Sequence, residues 1–107
     1  MHDTLKALQA TLAARRSETA ERSYTRSLLE GGPTKCAKKF GEEAVELVIA
    51  GVGEDDAALT NEAADVVYHL LVLLEARGVA FDDVLGELER RMGTSGHDEK
   101  ASRGRRS

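Results

Sequence analysis

Three carboxylates, Glu42, Glu43 and Glu46, stand within a turn and a half of one predicted helix, in the stretch Lys35–Gly51, KCAKKFGEEAVELVIAG. At about 100° per residue they cover roughly a third of the helix circumference, while Phe40, Val45, Leu47, Val48, Ile49 and Val52 fill the rest. A helix that buries its apolar side and crowds like charges together needs a cation in front of them: lysines, a basic partner surface or a metal. A second acidic pair, Glu62 and Asp65, follows with the same three-residue spacing, at the start of EAADVVYHLLVLL, which is apolar on nearly every side.

The register of these pairs decides among the three. The two helices are joined by a short turn and must run antiparallel. Glu46 and Glu43 lie six and nine positions before Val52, and Glu62 and Asp65 lie six and nine positions after Asp56. At a rise of about 1.5 Å per residue both pairs sit some 9–14 Å from the turn and face one another. Four converging carboxylates cannot all stay ionised in a low-dielectric groove without a divalent cation between them. Hard oxygen ligands on rigid helices suit Mg²⁺, or Mn²⁺. Surface ion pairing of Lys38 with Glu42 and Lys39 with Glu43 accounts for only part of the pattern. Lysine comes first in both pairs, the less favourable order, and Asp65 has no Lys or Arg three or four residues away. An unpartnered buried carboxylate costs several kcal/mol, which favours the metal.

Around the acids stand groups suited to an anionic ligand. Lys35, Lys38 and Lys39 lie near a helix N-terminus, where they oppose the helix dipole, and so read either as phosphate ligands or as solvated charge. His69 follows Asp65 by one turn and reads as its hydrogen-bonding partner, with general-base duty the lesser alternative. In the tail, Lys100 and Arg103 are three apart in a Gly-bearing segment that could close over an anion or simply stay solvated.

The elements that must position these residues are all helical. Pro occurs once, at Pro33, and β-branched runs are short. Leu5, Leu8 and Leu12 after Asp3 mark a first helix to about Arg16, and Ser23 caps a short turn, YTRSLLE, before Gly31-Gly32. The glutamate helix follows from Pro33-Thr34 to about Gly53. Asp55 or Asp56 caps the next, which runs to Arg77-Gly78 and should be the most buried, and Phe81-Asp82-Asp83 opens a last helix ending before Gly93. The expected fold is an all-α bundle of about four helices in residues 1–93, helped by oligomerisation, with a polar, basic tail over residues 94–107.

Composition sets bounds on function. At 107 residues the chain makes one domain, and 15 Lys+Arg against 19 Asp+Glu gives a net charge of −4, not the balance of a nucleic-acid binder. No apolar run approaches the roughly 18 residues that span a bilayer, and MHDTLKALQ lacks signal-peptide features, so a cytoplasmic location without a membrane partner is expected. The single cysteine, Cys36, reads as a helical filler.

The chain resembles the phosphoribosyl-ATP pyrophosphatases of histidine biosynthesis, within the all-α NTP pyrophosphohydrolase superfamily that includes MazG-like proteins. The resemblance runs through SYT at Ser23–Thr25, KxxxKxGEEAxE at Lys35–Glu46, EAADVVYHLLVLL at Glu62–Leu74 and TSGxxEKASR at Thr94–Arg103. EExxE followed by ExxD marks the superfamily, and the YHLLVLL segment and the tail point to the histidine branch. The resemblance implies Mg²⁺-dependent hydrolysis of phosphoribosyl-ATP to phosphoribosyl-AMP and pyrophosphate. It assigns Glu43, Glu46, Glu62 and Asp65 to the metal, and Glu42 to the attacking water or to a second metal. It assigns Lys38 and Lys39 to the leaving pyrophosphate, and Arg26, Arg91, Lys100, Arg103 and Tyr24 to further substrate contacts. It also implies a homodimer. Two alternatives stay open at this point: a house-cleaning hydrolase of NTPs or dNTPs, and a non-enzymatic helical interaction module.

Overall fold

A computed structural model describes residues 2–16 and 23–93; residues 1, 17–22 and 94–107, with Lys100 and Arg103 among them, lie outside the described part. Among the described residues the fold is all-α, with α1 His2–Arg15, α2 Tyr24–Glu30, α3 Gly32–Gly53, α4 Asp56–Arg77 and α5 Phe81–Met92. The YTRSLLE segment is a helix of its own and not a turn, which makes five elements where about four were expected.

Local signals set most boundaries. Ser23 takes an extended backbone and its Oγ accepts from the Arg26 amide at 3.1 Å, opening α2. Pro33 sits in the first turn of α3, where its missing N–H is no loss. Asp55, of the two candidate caps, opens α4, its carboxylate accepting from the Ala58 amide at 2.9 Å. At the other end Gly78 is left-handed (φ 69°), and the Gly78 and Val79 amides close onto the Glu75 and Leu74 carbonyls at 3.1 and 2.9 Å. A side chain there would strain the backbone, so Gly is the residue that lets the chain leave α4 sharply.

The α3–α4 hairpin is the frame, and α1 and α2 lie against it. Leu12, Leu28, Cys36, Leu71 and Val72 form a buried centre, flanked by Leu5, Leu8, Tyr68 and Phe81. Burying one such aliphatic side chain contributes about 1.5–3 kcal/mol. The Cys36 thiol donates to the Leu28 carbonyl at 3.3 Å, so it fills core space and closes the end of α2, as a helical filler should. Arg16 Nε meets Glu75 Oε1 at 2.6 Å and ties α1 to the end of α4.

Two expectations about burial need correction. The apolar side of α3 was expected to be covered, yet Val45, Val48, Ile49 and Val52 are 60, 64, 58 and 86 % exposed. These residues recur at i, i+3, i+4 and i+7, so they form one outward stripe. α4 is central, but its buried residues are only His69, Leu71 and Val72, and Val67 stays 39 % exposed. The cause is simple geometry: two short helices cannot surround a long hairpin. α4 is also, by length and composition, the one described helix that could cross a bilayer, with a mean hydropathy of 1.3 over its apolar window. Counting uninterrupted apolar residues had missed it because Glu62, Asp65 and His69 break the run. Those same polar groups face the site and the core rather than lipid, and hydrocarbon would penalise them heavily.

Candidate active site

The hairpin turn centres on Glu54, which ends α3, and Asp55, which opens α4. Glu46 and Glu62 stand equally far from Glu54 along the chain, and so do Glu43 and Asp65. Antiparallel pairing therefore brings each acid of α3 level with one of α4. Glu43, Glu62 and Asp65 each offer a carboxylate oxygen, and these oxygens all lie within 4.8 Å of one another. Each of the three is only partly exposed. Glu46, more exposed, is near enough for its charge and hydrogen bonding to act on both Glu43 and Glu62.

The electrostatics are those of uncompensated like charges. Burial first, then the neighbouring Glu46 and Asp65, push the Glu43 carboxyl above the usual carboxylate range, and Lys39 only partly opposes this. The same causes, burial followed by Glu46 and Asp65, raise Glu62. Glu62 Oε2 is buried with no hydrogen-bond partner among the described residues. A buried acceptor left unpaired costs about 1–3 kcal/mol, so something must repay it elsewhere. Three converging carboxylate oxygens, with an unpaired oxygen on Glu62, fit a small hard divalent cation, which takes carboxylate oxygens and keeps some positions for water or phosphate.

Lys39 borders these acids, with Nζ at 3.6 Å from Glu42 Oε2 and 3.8 Å from Glu43 Oε1. Its ammonium is held above the ordinary lysine range by the Tyr24 oxygen first, then by Glu42 and Glu43. One lysine thus serves both glutamates, where separate pairing of Lys38 with Glu42 and Lys39 with Glu43 was the ion-pair alternative. Lys38 is exposed. Glu42 has a side chain 52 % exposed, engages Lys39 and is not one of the three converging ligands, in keeping with a role apart from theirs.

The opposite wall is aromatic. Tyr24, the first residue of α2, is half exposed and stacks on Tyr68 with ring centroids 6.4 Å apart and planes at 19°. His69 stands edge-on to both rings, at 6.0 Å from Tyr24 and 5.0 Å from Tyr68. It is 5 % exposed, and its Nδ1 has no hydrogen-bond partner among the described residues. Burial, then Lys39, pushes its pKa below the ordinary imidazole value, while the nearby Asp65 opposes this. Thr25, buried, shares a short hydroxyl hydrogen bond with Tyr68. Thr25 and Tyr68 lie inside the SYT and YHLLVLL motifs, and no local spacing marks them as partners.

Two further candidates are engaged on their own helices. Arg26 pairs with Glu30 on its own helix at 3.4 Å. Arg91, on α5, bonds Glu87 at 3.2 Å and is not brought to the acids within this chain.

Comparison with known proteins agrees with the geometry. Residues 5–92 match the family model described as phosphoribosyl-ATP pyrophosphohydrolase. Proteins called phosphoribosyl-ATP pyrophosphatase are similar over nearly their whole length. That of Dinoroseobacter shibae is 61% identical over 99 residues, covering 92% of this chain and 97% of the relative. That of Rhodobacter capsulatus is 58% identical over 100 residues, covering 94% and 97%. A third, of Azorhizobium caulinodans, is 57% identical over 102 residues, covering 95% and 94%.

Proposed function

The chain belongs to the phosphoribosyl-ATP pyrophosphohydrolase family, and it hydrolyses phosphoribosyl-ATP to phosphoribosyl-AMP and pyrophosphate in histidine biosynthesis; we propose that it does so with Mg²⁺ held by Glu43, Glu46, Glu62 and Asp65. The observation that carries the metal assignment is the meeting of Glu43, Glu62 and Asp65 within 4.8 Å, with Glu62 Oε2 buried and unpaired. When bound, the ion supplies charge for the triphosphate and polarises the phosphorus under attack.

The chain's own residues do the rest. Glu42, exposed beside the cluster, orients the attacking water and takes its proton. The water oxygen joins phosphorus as the bridging α–β P–O bond breaks, and the displaced oxygen leaves on pyrophosphate. Lys39, and Lys38 one residue before it, balance the charge that builds on that leaving group. Lys39 is already placed for this, since its ammonium borders the carboxylates. Tyr24 offers its exposed face and hydroxyl to the substrate at the rim. Arg26, Lys100 and Arg103 are further phosphate contacts in this reading, and Arg91, which is not brought to the acids of its own chain, would serve the second site of a homodimer.

Release of pyrophosphate from phosphoribosyl-ATP should require Mg²⁺, and Glu46→Gln should abolish it while the helical circular dichroism stays intact. Full activity in that variant would overturn the metal assignment. Assaying canonical and damaged dNTPs at equal concentration checks the substrate, and preference for one of them would count against phosphoribosyl-ATP.

The outward stripe of Val45, Val48, Ile49 and Val52 supports a homodimer in which two α3–α4 hairpins complete one larger bundle. Sedimentation should then show a dimer that Val48→Asp converts to monomer. A monomeric parent protein would exclude this arrangement.

A further inference from the structure

We infer that Tyr68 is a positioning residue: the hydrogen bond between its hydroxyl and that of Thr25, with the stack of its ring on Tyr24, holds α2 against α4 and so fixes the direction of Tyr24. This rests on the reading that Tyr24 contacts the substrate.

α2 has only seven residues, too few to persist as a helix without tertiary ties. Its C-terminal half is tied to α3. Leu28 is in the core, Cys36 donates to the Leu28 carbonyl at 3.3 Å, and Lys35 Nζ reaches the Ser27 carbonyl at 3.4 Å. Its first turn carries the side chain that matters for the site, and there the described hydrogen bond to another helix is Thr25 to Tyr68. The Ser23 cap acts only within α2 itself.

Neighbouring residues on a helix point about 100° apart, so fixing Thr25 inward fixes Tyr24 sideways. Thr25 is 7 % exposed and Tyr24 is 53 % exposed, which is that division of labour. The direction taken by Tyr24 brings its oxygen within range of Lys39, Glu43 and Glu42. Tyr68 supports it twice over, through the hydroxyl that meets the Thr25 side chain and through the ring on which Tyr24 stacks. In this proposal Tyr68 acts on substrate through Tyr24, by the hydrogen bond to Thr25 and by ring stacking.

The test is a kinetic cycle on the full chain with Mg²⁺, using Tyr24→Ala, Tyr68→Phe, Thr25→Val and Tyr24→Ala/Tyr68→Phe, with thermal unfolding followed in parallel. Tyr68→Phe keeps the ring and removes the hydroxyl; Thr25→Val removes the other end and serves if Tyr68→Phe does not fold. Each should raise KM about two- to tenfold, the factor that one net hydrogen bond converts to, with kcat within about twofold. The double variant should have the KM of Tyr24→Ala alone. Metal-free hydrogen exchange should quicken at residues 24–26 in Tyr68→Phe while α4 is unchanged, a readout independent of turnover. If Tyr24→Ala leaves KM unchanged, the substrate reading of Tyr24 fails and the inference falls with it. If Tyr24→Ala raises KM but Tyr68→Phe and Thr25→Val do not, only the positioning role fails. Additive effects of Tyr24→Ala and Tyr68→Phe would show Tyr68 acting on its own and would overturn it.

Discussion

Glu62 on α4 and Glu87 on α5 are the same residue type on helices of the same chain, and their surroundings drive them in opposite directions. Glu87 receives Arg90 Nη2 at 2.6 Å and Arg90 Nε at 3.1 Å, with Arg91 Nε at 3.2 Å, all from its own helix. Those hydrogen bonds hold its carboxyl down at about 2. Glu62 is set among Glu43, Glu46 and Asp65, and burial and like charge raise it instead. One carboxylate has its counter-charge supplied by a neighbouring turn; the other has no ion-pair partner shown among the described residues. The contrast separates an acid satisfied within its own helix from acids whose mutual repulsion fits the divalent cation proposed for them.

The largest effect that would sharpen this contrast is on turnover. Glu62→Gln should lower kcat/KM about a hundredfold or more, as removal of a group acting on transition-state charge does, whereas Glu87→Gln should leave it within about twofold. Equal losses at the two positions would erase the distinction, and steady-state assay of both variants decides it.

Next in size is the response to metal. At about a hundred times its dissociation constant, Mg²⁺ should stabilise the fold by about 2.7 kcal/mol, or roughly 10 °C or more in Tm for a chain of this size. The increment depends on pH with a definite sign. Glu43 and Glu62 have folded pKa values above the ordinary 4.5, so their protonated forms favour the fold. Their contribution is fully present below that value and is lost as pH rises through the raised ones. The metal-free protein should therefore weaken from about pH 4.5 upward on their account, and the Mg²⁺ increment should grow over the same range. Calorimetry at pH 4.5 and 7.5, with and without Mg²⁺, measures this; an increment that shrinks with pH would contradict the electrostatic account.

A smaller effect follows from the same repulsion. Without metal at neutral pH, Glu62→Gln should raise stability, because it removes one of several like charges. Chemical denaturation reads it directly, and a loss of stability would mean that Glu62 is already satisfied in the absence of a cation.

The smallest belongs to Glu87. Its pKa is lowered, so its contribution is present above 4.5 and fades as pH falls toward 2. The ion pairs are exposed and screened, so Glu87→Gln at pH 7 should shift Tm by no more than about 2 °C. A larger drop would give α5 a place in the core that its lack of buried residues does not suggest.

Much of this molecule was legible in its residues. Asp55 and Gly78 mark helix ends through their own backbones, and those signals need no knowledge of the rest of the chain. The facing of Glu43 with Asp65 and Glu46 with Glu62 was equally accessible, since a short turn between two regular helices leaves one antiparallel register. Two things escaped. YTRSLLE is too short to declare itself a helix, and it exists because Leu28 and Thr25 find partners far along the sequence. The outward direction of the α3 valines also escaped, because hydrophobic spacing tells which residues share a face and not what that face meets.

The sequence by itself determined the helices, their ends and the level at which the acids meet, because each of these depends on groups a few residues apart or on one tight turn. Tertiary structure alone decided that Tyr68 and Thr25 join, that Tyr24 and His69 wall the acidic site, and that a valine stripe is left uncovered. Those outcomes depend on how helices distant in sequence compete for a limited amount of contact surface, which no local spacing records.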